Sequence, residues 1–515
     1  MTTTAHAYLD AVVHRTTSRM EPDGFRINWL DAPRKGKFLP GVESVSLDRV
    51  LPALDDDTAP TFTATLLGEL LKATYAEGNR RLAIHCNDDV DELPHYGRGS
   101  LARGTASGGA RYPVSIYWVA GPSSGVTPGV YYYNVYHHSM ERLLVGDLTP
   151  RVAAALGADR LADQYLVLGL KYWQNAFKYH NFAFHAVSMD IGTITHSWRS
   201  WLADEGLEVT PHFWFDEPDL ADLLSIDLDA EGVFAVLPLG PADRNAPRDG
   251  AAVRTSAFGT DEERSRTVLS FPMTVGMQRA TAAGCTTRPT PVALSAAAAA
   301  PVEDGIHVSL PSPEPTECTV AQTLLRRRSS FGRFIGVPMR ASALAALLDE
   351  GTRAGSFPCD ASGGLPTDLL SLYVFVNRVE GVAPGAYRHD SARGGLVLVD
   401  AETPGVFLQK NYALDNYNVE QAGAVIVPAV RVGALMDAVG DRGYRLASAV
   451  VGATTQAVYQ AAAARDGVGC GAALGFDNAG FMQRLHLDTT DTIPLIMIMV
   501  GSERAGYANY RSETH

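Results

Sequence analysis

Cysteine is scarce: Cys86, Cys285, Cys318, Cys359 and Cys470 are the only five in 515 residues, an odd number with no Cys-x-x-Cys pair. That excludes a disulfide framework and a zinc ribbon, and it predicts a reducing, cytoplasmic setting. Positive charge is also short. Lys+Arg total 43 against 57 Asp+Glu, a net charge of −14. No broad electrostatic grip on nucleic acid is expected, so a phosphate-bearing ligand must be held locally by a few arginines. Long apolar runs are missing too. The first thirty residues show no basic segment followed by an apolar core, and Ile493 to Val500, interrupted by Pro494, falls far below the ~20 residues of a membrane span. That run reads as a buried strand, and no membrane partner is expected. Neither Gly-x-Ser-x-Gly nor a P-loop occurs. His137-His138, and His180 with His185, lack a carboxylate or thiol at ligand spacing, so no metal site is expected.

What is present is a globular composition, 46% hydrophobic and 19% charged, long enough for about two to four domains. From Arg244 to Pro315 the chain carries an alanine tract (Ala296 to Ala300), several prolines and polar Thr/Arg segments. The stretch reads as a connector with some structure of its own. The predicted division is 1–243, 244–318 and 319–515.

The two flanking halves resemble one another. Ala106-Ser107-Gly108-Gly109 leads into the apolar run Val114 to Val119, and Ala361-Ser362-Gly363-Gly364 leads into Leu369 to Val376. Each run is followed by a Pro-Gly-x-Tyr element, Pro128-Gly129-Val130-Tyr131 and Pro384-Gly385-Ala386-Tyr387. Long helices are predicted over Met189 to Glu205 and Leu446 to Arg465, the second with small residues (Ala449, Gly452, Ala453, Ala457, Ala461) at helical spacing that permits close packing. Apolar strands close both halves, Val233 to Leu239 and Ile493 to Val500. The predicted fold class is α+β, two domains of one fold packed as a pseudo-dimer within one chain. Such a chain needs no second copy, so a monomer is expected.

The second half opens with Arg326-Arg327-Arg328-Ser329-Ser330-Phe331-Gly332-Arg333 ahead of a helical Ala343 to Leu348. Guanidinium forks beside small hydroxyls suit a terminal phosphate. Standing alone, the cluster reads as a solvated basic turn. A late turn, Ala473-Leu474-Gly475-Phe476-Asp477, ends in Gly-Phe-Asp, where glycine leaves room for close backbone approach. Its first-half counterpart is His212-Phe213-Trp214-Phe215-Asp216, filled with aromatics, and the clamp's counterpart is the weak His14-Arg15-Thr16-Thr17-Ser18. Lys178-Tyr179 precedes the first long helix, with no equivalent pair before Tyr444-Arg445-Leu446. Without further context this pair is a snorkelling lysine and a packed tyrosine. Cys470, between Gly469 and Gly471, reads as a small buried residue.

In order and in duplicate, these motifs resemble the nitroreductase superfamily, and more closely its SagB/McbC branch of flavin-dependent dehydrogenases from thiazole and oxazole peptide biosynthesis. The likeness covers most of both halves and not the connector. It implies FMN as cofactor, and because the first half's clamp counterpart is weak and its turn is filled with aromatics, one FMN per chain is expected. Arg327, Arg328 and Ser329 would clamp the phosphate, the backbone of Leu474 and Gly475 would approach the flavin near N5, and Ser107, Gly108 and Gly109 would form the loop contributed in trans. Arg333 lies one position beyond the family's usual final arginine. The resemblance also implies that Lys178 and Tyr179 are catalytic. Oxidising an azoline to an azole removes a carbon-bound proton along with a hydride, and a lysine beside a tyrosine can favour phenolate or act as the base itself. The implied partners are an azoline-containing precursor peptide and a cyclodehydratase. The alternatives are an NAD(P)H-driven nitroreductase or quinone reductase, and a flavin-free scaffold that binds a peptide or partner enzyme.

Overall fold

A computed structural model of the protein describes residues 3–49, 62–83, 99–240, 244–245, 259–504 and 509–513. Cys86 and the predicted boundary at 243 lie outside the described residues. Two antiparallel sheets, one per half, form the frame. In the first, the strands run in the order Ser44–Ser46, Ser139–Val145, Gly129–Asn134, Val114–Ala120, Gln164–Lys171, Glu231–Leu239. In the second, the order is His307–Ser309, Gly395–Asp400, Gly385–Asp390, Leu370–Val376, Ala424–Val430, Met497–Ser502, Val468–Ala473. The β-branched and aromatic runs singled out in the sequence are central strands. Every residue of Val114–Ala120 is buried, as expected of a strand covered on both faces.

The repeated Pro-Gly-x-Tyr element has a structural cause. In both hairpins the register slips directly before the tyrosine, at Val130/Tyr131 and Ala386/Tyr387. Each tyrosine hydroxyl then donates back across its own turn, Tyr131 to the carbonyl of Thr127 at 2.5 Å and Tyr387 to that of Ala383 at 2.8 Å. A bulge bends the strand and the phenol ties off the bend.

The sheets meet through two long helices, Ala183–Asp204 and Gly443–Ala463. They cross at glycines. A Cβ on Gly192 would collide with the carbonyl of Ala449, and one on Gly452 with that of Met189. The reciprocal contact places the pseudo-twofold axis between these residues. The first helix starts at Ala183 rather than the expected Met189, after a short helix Trp173–Tyr179 that ends at His180. His180 has φ +43°, a region that side chains avoid, and no proline or glycine in the sequence announces the break. The run Ile493 to Val500 is also divided. Ile493–Pro494 pair with Val430 and Ala429, and the strand resumes at Met497, because Pro494 has no N–H to continue the ladder.

The connector segment is built into both halves. Helix Pro272–Ala282 packs against Thr4–Val13 and both long helices, and His307–Ser309 adds an edge strand to the second sheet. Strand Asn509–Glu513 returns to the first half and pairs with Asn79–Ala83. Among the described residues no helix is long and apolar enough to cross a membrane.

Candidate functional site

Strand Val468–Ala473 runs out into the turn Leu474-Gly475-Phe476, after which Asp477 begins helix Asn478–Arg484. The amides of Leu474 and Gly475 have no hydrogen-bond acceptor among the described residues, whereas the neighbouring groups do. Ala413 N donates to Gly475 O at 2.8 Å and Asp477 N to Asn411 O at 3.1 Å. Gly475 is not demanded by the protein. Its φ lies outside the left-handed region, and a Cβ there would meet only Ala413 and Leu414 at ordinary contact, 3.6 and 3.8 Å. A glycine that the fold does not need, beside two open amides, fits a planar ligand coming up against the backbone.

Behind the turn stands Arg15, at the end of helix Thr4–Val13. It reaches across to the second half. Its Nη2 donates to the carbonyls of Leu474 and of Phe476 (2.7 Å for the latter), and its Nη1 to the carbonyl of Val12 at 2.6 Å and to Asn478 Oδ1. The guanidinium also lies over the rings of Phe182 and Phe476, at 5.1 and 5.5 Å. Burial lowers its pKa to about 10, opposed by Tyr444 and Asp477, so it stays charged at neutral pH.

The loop Ser107-Gly108-Gly109 is held from below by Asp190 on the first long helix. Ser107 Oγ lies 2.6 Å from Asp190 Oδ2, and Gly108 N donates to Oδ1 at 2.9 Å, while Ser107 Oγ also accepts from Tyr112 N. The serine hydroxyl therefore shapes the loop. Asp190 is buried, and burial raises its pKa from 3.8 to about 7 against the pull of Ser107 and Gly108. Gly109, at φ +62°, sits under the ring of Tyr179, where a Cβ would strike the phenol. The second half fixes the loop's other end through Gln456, which receives Ala106 N at 2.9 Å and donates to Gly104 O at 3.1 Å.

The arginine cluster is only partly turned to an open space. Arg327 is buried, and two of its nitrogens donate to first-half carbonyls, Nε to Gly104 at 2.8 Å and Nη2 to Arg103 at 2.9 Å. It latches the halves together. Arg328 pairs with Glu503, and Ser329 Oγ lies 3.0 Å from Tyr459 Oη, which accepts Ala472 N beside the turn. A cavity of about 130 Å³ opens here, lined by Arg326, Arg328, Ser330, Tyr459, Arg465 and Glu503 among others. Arg333 donates to the carbonyl of Arg504. Cys470 is buried, which pushes its thiol pKa well up. The residues present fit a flavin phosphate through Arg328 and the serine hydroxyls, and a ring through the open amide pair.

Lys178 and Tyr179 close the short helix just before the kink at His180 and are both half-buried. Lys178 Nζ lies 4.8 Å from the Tyr179 ring and 5.9 Å from that of Trp29, and neither side chain has a hydrogen bond or ion pair among the described residues. Tyr179 lies over Gly109, and the phenol pKa of Tyr412 is pushed up by burial first, then by Asp415. Tyr412 in turn bridges to Phe476 of the turn. The pair is thus joined to the Ser107–Gly109 loop through Tyr179 and Gly109.

The first half's version of this site is shut. By its distance to Phe215-Asp216, the pair Phe213 and Trp214 corresponds to Leu474 and Gly475. Their amides donate to Asp360, at 2.9 Å to Oδ1 and 3.0 Å to Oδ2, and Arg288 of the connector pairs with the same carboxylate at 3.3 Å. Phe213, Trp214 and Phe215 are each 1% exposed. Helix Pro272–Ala282 packs against both long helices. Its Gln278 and Thr281 bind Arg445, which joins Arg442 on the buried Glu217. Sequence reasoning named Arg15 only within a weak counterpart of the clamp, and it missed Asp190, Gln456 and Asp360. A signal existed for the last of these, since Asp360-Ala361-Ser362-Gly363 stands where the first half has Thr105-Ala106-Ser107-Gly108.

No protein-family model and no curated protein matches the chain. Among solved structures, a candidate nitroreductase from Anabaena variabilis is similar over 98% of this chain and 100% of its own, with a TM-score of 0.73 at 19% identity. A candidate nitroreductase from Ralstonia eutropha covers 41% of this chain and 95% of its own (TM-score 0.31, 17% identity). A chain of the E. coli microcin synthetase McbBCD complex with truncated pro-MccB17 bound covers 40% and 77% (TM-score 0.28, 18% identity). The duplicated sheets, the crossing helices and the end-to-end likeness to the Anabaena structure show that this chain has the nitroreductase fold, twice over, as a pseudo-dimer in one polypeptide.

Proposed function

We propose that the chain is an FMN-dependent dehydrogenase that oxidises azoline rings to azoles in a peptide, with residues 1–243 and 319–515 as its two domains and 244–318 as the connector. The observation that supports this best is the asymmetry of the two turns. One amide pair, Leu474 and Gly475, is open; the other is closed by Asp360. FMN, when bound, supplies a two-electron acceptor for hydride. Leu474 and Gly475 would meet its ring, Arg328, Ser329 and the neighbouring hydroxyls its phosphate, and the Ser107–Gly109 loop would complete the site from the other half, seated by Arg327, Gln456 and Asp190. An azoline that loses a hydride also loses a ring proton, and Lys178 or Tyr179 accepts it. The electrons pass finally to O2. The substrate in this reading is a precursor peptide already heterocyclised by a cyclodehydratase.

The test is flavin content followed by single-turnover reduction. Purified protein should carry one FMN per chain and an absorbance band near ~450 nm. An azoline-containing peptide should reduce it under anaerobic conditions while NAD(P)H does not. Two flavins per chain would refute the closed-turn argument. Rapid bleaching by NAD(P)H with no response to azolines would make the chain a nitroreductase or quinone reductase, and colourless protein that takes up no FMN would leave a binding scaffold.

A further inference from the structure

We propose that Arg15, supplied by the first half, aims and strengthens the amide of Gly475 as a donor to negative charge arising on a bound flavin. The inference rests on the flavin reading of this cavity and adds a positioning residue to it. The argument begins with the peptide plane. In a trans peptide the carbonyl and the following N–H point in opposite directions. Arg15 Nη2 binds the carbonyls of Leu474 and Phe476, so the amides of Gly475 and Asp477 must both point away from it. Asp477 N shows that this is so, for it donates to Asn411 O at 3.1 Å. Gly475 N points away in the same manner and meets no acceptor among the described residues.

Charge adds to direction. A cation hydrogen-bonded to a carbonyl polarises the amide group, and the effect grows where water is displaced, as it is here by the rings of Phe182 and Phe476. The first half contains an internal control. There the equivalent amides, of Phe213 and Trp214, hold a carboxylate, that of Asp360. The paired amides of this turn are thus an anion receptor by construction. In the second half no carboxylate among the described residues fills them. A guanidinium backs the turn in both halves, Arg442 on the carbonyl of Phe213 and Arg15 on that of Leu474. Arg15 and the turn belong to opposite halves, so the aim of the donor depends on the docking of one half against the other.

Arg15→Met and Arg15→Lys test this in the holoenzyme through the reduction potential of bound FMN, a quantity that a merely structural role would not move in proportion to charge. Arg15→Met should lose about tenfold in preference for reduced over oxidised flavin, a fall of about 30 mV for a two-electron couple. Arg15→Lys, which keeps the charge and loses the fork, should fall between. An unchanged potential in flavin-loaded Arg15→Met overturns the proposal. If that variant does not fold, Arg15→Lys decides alone: a lowered potential supports the proposal and a wild-type value overturns it. A second readout needs no flavin. In flavin-free protein, hydrogen exchange at the Asp477 amide should quicken about tenfold in Arg15→Met while the two long helices keep their protection, and an unchanged rate overturns the aiming role. Wild-type protein that binds no FMN would sink the flavin reading, and the exchange measurement would still judge Arg15.

Discussion

Asp190→Asn is the substitution with the most informative pH dependence. The carboxyl of Asp190 lies under the Ser107–Gly109 loop with its pKa raised by burial from 3.8 to about 7. The folded protein therefore keeps this proton up to about pH 7, while the unfolded chain releases it near 3.8. Between those values the native state binds more protons than the unfolded state, so stability falls as pH rises. Three units at 1.36 kcal/mol each give about 4 kcal/mol as the upper limit of that fall. Asparagine imitates the protonated acid: its carbonyl can accept Gly108 N and its amide can donate to Ser107 Oγ, as the neutral carboxyl would. Chemical denaturation at pH 5 and pH 8 separates the cases. Wild type should lose stability between the two, and Asp190→Asn should lose less by up to about 3 kcal/mol, the part of the fall that lies between pH 5 and about 7. Parallel profiles for the two proteins would show that Asp190 does not hold a proton in the native state, and the reasoning fails.

Lys178→Ala and Tyr179→Phe should retain FMN, because the flavin-contacting turn and Arg328 are elsewhere, yet slow substrate-driven flavin reduction by about 10²–10⁴-fold in stopped-flow measurements; wild-type rates in both would remove them from catalysis. Gly192→Ala should lower the melting temperature sharply, since its Cβ meets a backbone carbonyl of the other long helix that cannot rotate aside, with a cost of at least ~1–3 kcal/mol. Asp360→Ala strips two buried amides and Arg288 of their carboxylate and should cost about 3 kcal/mol in denaturant titration while FMN stays at one per chain; a second flavin appearing would mean that Asp360 alone closed the first-half turn.

The features readable from sequence were those whose cause is local or repeated. Central strands announce themselves by β-branched and aromatic runs, the bulged hairpins by Pro-Gly-x-Tyr, and the long helices by their apolar period. The start of the first helix was not readable, because the kink at His180 is set by what surrounds it and involves neither proline nor glycine. The candidate site divides in the same way. The turn at Leu474-Gly475 and the loop at Ser107-Gly109 stand out as motifs. What Arg15, Arg327 and Asp190 do depends on which half each one faces. Alignment of the halves made Arg15 part of a weak counterpart of the clamp, in a site expected to hold no flavin; the fold sends it across to the other turn. Arg327 similarly spends two nitrogens on carbonyls more than two hundred residues earlier in the chain. Contacts of that range leave no period or spacing in a sequence.

Thr105 in one half and Asp360 in the other occupy the same place in a repeated motif. In a twofold dimer of identical subunits every substitution is made twice, so a carboxylate that closes one turn closes its twin as well. Joined in one polypeptide, the two positions can mutate separately. One copy carries an acid that closes the turn opposite it, while the other carries a small neutral residue beside an open turn. The exception lies on the axis itself, where Gly192 and Gly452 press against each other's helix. There neither residue can change without the other feeling it, and both have remained glycine.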